Sequence, residues 1–107
     1  MIYVGNAFSL QMLEGSDDCT VRVRTVSPET VTAALAGLSW QSCVGHADTA
    51  AVFSEALGLD VPQNRVNVTL KPGDLLIVGQ LIGGRLPEGA TSLPEGFQIV
   101  WKRVELA

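Results

Sequence analysis

The period of the apolar positions changes several times along this chain, and each change marks an element. Ile2-Tyr3-Val4 is a short apolar run closed by Gly5-Asn6, the pattern of a buried strand. Residues 7–13, Ala-Phe-Ser-Leu-Gln-Met-Leu, fit a short helix with Asn6 as its N-cap, and Gly15-Ser16-Asp17-Asp18 is a turn. From Thr20 to Val26 the chain alternates, with Val21, Val23 and Thr25 on one face and Arg22 and Arg24 on the other. This predicts a half-exposed strand.

Ser27-Pro28-Glu29 starts a helix, with a hydroxyl cap, proline at the first helical position and an acid in the first turn; it should run through Val31, Ala34 and Leu35 to Gly37. A brief extended piece is expected within Leu38–Val44. A second helix from His46 to Leu57, opened by Gly45 and stopped by Gly58, puts Val52, Phe53, Ala56 and Leu57 on one face. Val66 to Leu70 alternates, Lys71-Pro72-Gly73-Asp74 is a tight turn, and Leu75 to Leu81 is nearly continuous apolar sequence. Together these three segments predict a β-hairpin. A long glycine- and proline-rich loop over 83–96 follows, and a strand from Phe97 to Val104 closes the chain. The sum is a single α/β domain over residues 1–107, with a mixed sheet of about five strands and flanking helices.

Composition narrows the function classes. With 107 residues and 47% hydrophobic content, the chain can bury one core and is not disordered. Runs such as Leu75–Val78 are too short to span a bilayer, and Met1–Asn6 carries no basic start of a signal peptide, so no membrane association and a cytoplasmic location are expected. A net charge of −4 with only seven Lys plus Arg argues against a sequence-independent binder of long nucleic acid. A nucleotide ligand would have to be small and held by a few placed groups. Cys19 and Cys43 form no C-x-x-C and are expected to be reduced, small buried residues. One histidine, with no cluster at ligand spacing, gives no expectation of a metal site or cofactor. Walker, dinucleotide-binding and nucleophile-elbow motifs are absent.

Two places could carry chemistry. A lone histidine is ordinarily a surface or structural residue, but His46 follows Gly45 at the start of a helix, where free backbone amides and the helix dipole favour an anion. An imidazole beside an anion pocket suits general acid–base work on a phosphodiester. In Gly84-Arg85-Leu86-Pro87-Glu88-Gly89 the charged pair could belong to a solvated loop; alternatively, Arg85 could clamp phosphate while Glu88 takes or orients a proton. Taken singly, Arg65 is a surface pair partner, Asn6 and Ser9 are capping residues, and Gln80 is an exposed strand-end residue.

The ordered set of blocks is more specific. Met1 to Leu13 with its Asn6-Ala7-Phe8-Ser9, then Gly45-His46-Ala47-Asp48-Thr49, Asn64-Arg65-Val66, Gln80 and Arg85-Leu86-Pro87-Glu88-Gly89 resemble the viral type III anti-CRISPR ring nucleases and their CRISPR-associated cellular relatives, over nearly the whole chain. The resemblance implies a homodimer that binds cyclic tetra-adenylate across its interface and cleaves it without metal. In that reaction a substrate 2′-hydroxyl attacks the adjacent phosphate, and type III CRISPR signalling is switched off. His46 matches the general acid, Glu88 the assisting glutamate, and Asn6, Ser9, Arg65, Gln80 and Arg85 the ligand contacts; Gln11 stands where an Asn-like contact is expected. Two other classes compete: a cyclic-nucleotide sponge that binds without cleaving, and a small dimeric interaction protein with Trp40 and Trp101 as core or interface anchors.

Overall fold

A computed structural model describes residues 1–107. Its elements are β1 (Ile2–Gly5), a 3₁₀ turn at Leu10–Leu13, β2 (Val21–Val26), α1 (Pro28–Leu35), β3 (Gln41–Ser42), α2 (Ala47–Leu57), β4 (Leu75–Ile82) and β5 (Gln98–Leu106). The five strands form one mixed sheet in the order β2-β5-β4-β1-β3. β1 runs parallel to both β3 and β4, whereas β5 is antiparallel to β4 and β2. This is the α/β architecture expected from the sequence.

Alternation sorts the sheet into two faces. On one, Val4, Ile77 and Trp101 meet Val31 and Leu35 of α1 and Ala50, Phe53 and Leu57 of α2. Phe53 and Trp101 pack with ring centroids 4.9 Å apart at 58°, a tilted arrangement that adds about 0.5–1.5 kcal/mol to the area they bury. Gly79 lies directly beneath them, since a Cβ there would stand 2.6 Å from Phe53 Cζ and 2.7 Å from Trp101 Cζ3. Trp101 is 2% exposed, so it serves as a core residue and offers no surface for a partner. On the other face Leu76, Val78, Val104 and Leu106 are covered by Val68, Leu70 and the 3₁₀ turn.

α1 forms as its sequence dictates: the Ser27 hydroxyl accepts the Thr30 amide at 3.1 Å, and Pro28 takes a position whose N–H would be unused. The helix ends at Leu35 with Ala36 as its cap, and Gly37 follows at φ +70, the left-handed conformation expected of the glycine that stops it; Thr32 Oγ1 donates to Leu57 C=O at 2.9 Å to tie the two helices together. Gly58 ends α2 at φ +68, the left-handed conformation expected of it.

Four expectations need correction. Residues 66–70 are not a strand and make no hairpin with 75–81, because both edges of β4 are already taken, by β1 and by β5. From Asn67 on the alternation is real as burial, with Val68 and Leu70 inside and Asn67 and Thr69 outside, whereas Val66 is exposed; Leu70 N–H donates to Met12 C=O at 2.7 Å. Residues 7–13 hold only the 3₁₀ turn, flanked by Ser9 rather than Asn6, and no side chain caps it. Cys19 is exposed rather than buried, although both cysteines are free. Val23, on the expected face, is 55% exposed, lining an open depression with Phe8 and Val104.

Candidate functional site

Parallel strands in an α/β sheet place the loops that follow their carboxyl ends together, and ligands bind there. Here the register sets Gly5 beside Val78, and Val4 beside Ser42, so the segments after β1, β3 and the later part of β4 leave the sheet at one end. Asn6 follows β1, Gly45-His46 follows β3, and Gln80 lies in the stretch of β4 that outruns β1. A fourth segment is pinned alongside. Ser42 Oγ donates to Pro62 C=O at 2.6 Å, Asn64 N–H and Nδ2 donate to the carbonyls of Val44 and Ser42 at 2.8 Å each, and Gln63 Nε2 donates to Gly45 C=O at 3.1 Å. These bonds lay Arg65 against Gly45, with its Cγ 3.5 Å from where a Cβ would stand.

Under this end sits Cys43, whose sulfur would be 2.7 Å from a Cβ at Gly5. Glycine there lets the thiol tuck against β1, and burial pushes the Cys43 thiol up from its ordinary pKa. Tyr3 is also raised, first by burial and then by the nearby charge of Asp74 and by Cys43.

His46 occupies the position before α2 with extended backbone (φ −120, ψ 134), and its side chain makes no capping bond. The contrast with α1 is direct. Ser27 closes the start of α1, whereas the amides of Ala47, Asp48 and Thr49 have no acceptor in the fold, and the first bond of α2 is Ala50 N–H to His46 C=O. Open amides at a helix N-terminus form an anion-binding surface. Beside them is a cleft of about 310 Å³ lined by His46, Asp48, Thr49, Leu81, Arg85 and Leu86. Two segments about 40 residues apart in sequence therefore meet there: the helix start and the glycine-rich loop. Glu88 does not line this cleft but is brought to it, because Gly89 N–H donates to Asp48 Oδ2 at 3.1 Å.

The remaining candidates form two neighbouring depressions. Asn6 and Gln80 share a cleft of about 340 Å³ with Phe8, Val23, Val78 and Lys102, on the opposite face of β4 from Leu81. Ser9 and Gln11 line a smaller one of about 130 Å³ with Asn67 and Thr69. All eight candidates are exposed, and no single cavity holds them all. Sequence reasoning missed Lys102, whose Nζ donates to Thr25 Oγ1 at 2.6 Å. The alternation Val100-x-Lys102-x-Val104 was its available signal. It also missed Asp48, whose partner is 41 residues away and leaves no trace in local pattern. No group of three or more His, Cys, Asp or Glu side chains is placed to hold a metal ion, and no helix is long and apolar enough to cross a membrane.

A small mixed sheet with an uncapped helix start and a charged loop at the carboxyl ends of its parallel strands defines a small α/β domain with an open cleft at that end. The chain belongs to the STIV B116-like family, whose model matches residues 2–100. Its fold is similar to that of B116 of Sulfolobus turreted icosahedral virus, with a TM-score of 0.81, 24% sequence identity and 97% of each chain covered. No curated protein matches the sequence.

Proposed function

We propose that this protein is a metal-independent ring nuclease that binds cyclic tetra-adenylate as a homodimer and cleaves it, switching off type III CRISPR signalling. The observation that carries this reading is the cleft in which His46 and Arg85 meet at the uncapped start of α2. Arg85 can fork onto a phosphate that the open amides also bind, and His46 stands free to exchange a proton beside it.

The reaction needs little else. A substrate 2′-hydroxyl attacks the adjacent phosphorus and gives its proton to Glu88 or to solvent, the bond from phosphorus to the 5′-oxygen breaks, and His46 donates a proton to that leaving oxygen. The products are a 2′,3′-cyclic phosphate and a 5′-hydroxyl. Glu88, on the turn tied to Asp48, assists proton movement. A ring of four nucleotides is too large for the His46 cleft of one chain, which favours two copies around a ligand that itself has rotational symmetry. Asn6 and Gln80 with Lys102, and Arg65 beside Gly45, lie around the same sheet end to contact the rest of it.

Incubating the pure protein with labelled cyclic tetra-adenylate, with and without excess EDTA, tests this. Linear product ending in a 2′,3′-cyclic phosphate at equal rates in both is expected. Tight binding with an intact ring would favour the sponge, and activity restored to a chelated sample by a divalent ion would overturn the mechanism.

A further inference from the structure

Loop 83–96 is joined to the rest of the fold by one hydrogen bond, the one from Gly89 N–H to Asp48 Oδ2. Its other bonds are local, from Ala90 N–H to Pro87 C=O and from Phe97 N–H to Pro94 C=O, both 3.1 Å. The first of these closes the turn Pro87–Ala90, with Glu88 and Gly89 at its two central positions. The φ of +79 at Gly89 is what a type II turn requires at the second of them. Asp48 sits in the first turn of α2, two residues after His46, and lines the cleft with His46 and Arg85. Its carboxylate complements the helix dipole there, and the amide donating to it makes a charge-assisted bond.

From this arrangement we infer that Asp48 is a positioning residue for Glu88: it anchors the turn Pro87–Ala90 to the mouth of the His46 cleft. The inference rests on the ring-nuclease reading for its consequence in catalysis, but not for the anchor itself. An acid in the first turn of a helix ordinarily just stabilises that helix, and such a role would leave the loop untouched. The two roles therefore separate in what Gly89 does when Asp48 is changed.

The experiment compares Asp48→Ala with Asp48→Asn, whose side-chain oxygen still accepts a hydrogen bond. Asp48→Ala should raise the hydrogen-exchange rate of the Gly89 amide by about tenfold, while Asp48→Asn keeps it within about threefold of wild type. In single turnover with labelled cyclic tetra-adenylate, Asp48→Ala should be slowed as much as Glu88→Gln, and the double variant should be no slower than Glu88→Gln alone. Asp48→Asn should recover most of the rate. Unchanged Gly89 exchange in Asp48→Ala overturns the anchor. Losses that multiply in the double variant, or a full rate despite a freed Gly89, overturn the positioning of Glu88. If wild-type protein leaves the ring intact, the ring-nuclease reading fails, and Gly89 exchange still decides whether Asp48 holds the turn.

Discussion

Gly79 and Gly89 are ten residues apart and are glycine for opposite reasons. Gly79 has ordinary backbone but no room, since Phe53 and Trp101 occupy the space a side chain would need. Gly89 has nothing within 4 Å of a side chain's position but a backbone that other residues avoid. The first belongs to the layer in which α2 is packed onto β4 and β5, fixed by contacts on every side. The second belongs to a loop that one hydrogen bond holds to the fold. This division assigns the two halves of the candidate chemistry. The packed layer decides where His46 stands, because it stands at the start of α2. The loop decides whether Arg85 and Glu88 are beside it. Stability and function should therefore respond separately to changes in the two regions.

The largest expected effect tests the His46 side of that division. His46→Ala should slow single-turnover cleavage of cyclic tetra-adenylate by roughly 10²–10⁴-fold, or about 3–5 kcal/mol of barrier, because an alkoxide leaves poorly without a proton donor. His46 is the only imidazole in the chain, so no other histidine can take its place. It is exposed and caps nothing, so its removal should change unfolding free energy by no more than about 0.5 kcal/mol. Cleavage within a few-fold of wild type would place the acid elsewhere.

Arg85→Ala probes the loop's contribution to binding. A guanidinium on a phosphate oxygen is worth about 1.5–3 kcal/mol, so the dissociation constant for the ring should rise by about one to two orders of magnitude, with unchanged melting. Because the contact is ionic and exposed, the loss should shrink as salt rises. Equal constants for variant and wild type at two salt concentrations would remove Arg85 from the site.

Gly79→Ala tests the packed layer. The added methyl must displace two aromatic rings, and overpacking of this kind costs about 1–3 kcal/mol, visible as a lower denaturant midpoint. A variant as stable as wild type would mean that the Phe53–Trp101 pair can shift without loss, and that α2 is less firmly fixed than its packing implies.

How much of this was legible in the sequence follows from which forces are local. Ser27-Pro28-Glu29 announced α1 because its cap lies within three residues of the amide it satisfies. The apolar run at 75–81 announced a buried strand because both its faces are covered over residues 76–79. The same alternation misled at 66–70: burying every second residue needs only a surface to lie on, and Val68 and Leu70 have one without any strand partner. Whether a strand has a free edge is a property of the whole sheet, and no pattern within five residues reports it. The site divides in the same way. His46 at a helix start was readable from Gly45 and the helix behind it. Its meeting with Arg85, and the Asp48–Gly89 bond, exist only once the β4–β5 pairing returns loop 83–96 to α2.

The smallest expected effect is the most discriminating. Gly89→Ala adds a methyl that meets no atom, so its entire cost is backbone strain, about 1–2 kcal/mol for a left-handed alanine. Where that cost falls depends on what the turn is part of. In a cooperative core it would appear as lost global stability. In a turn held by one bond, the chain has a cheaper escape: it relaxes the turn, gives up the Asp48 contact and leaves the sheet and helices as they were. The denaturant midpoint should therefore stay near the wild-type value, while cleavage falls about five- to tenfold, the rate equivalent of roughly 1–1.4 kcal/mol. Gly89→Asn should lose less, since asparagine tolerates the left-handed region better than alanine. If Gly89→Ala instead unfolds as early as Gly79→Ala, with cleavage intact, the loop is part of the cooperative core and the separation between scaffold and site fails.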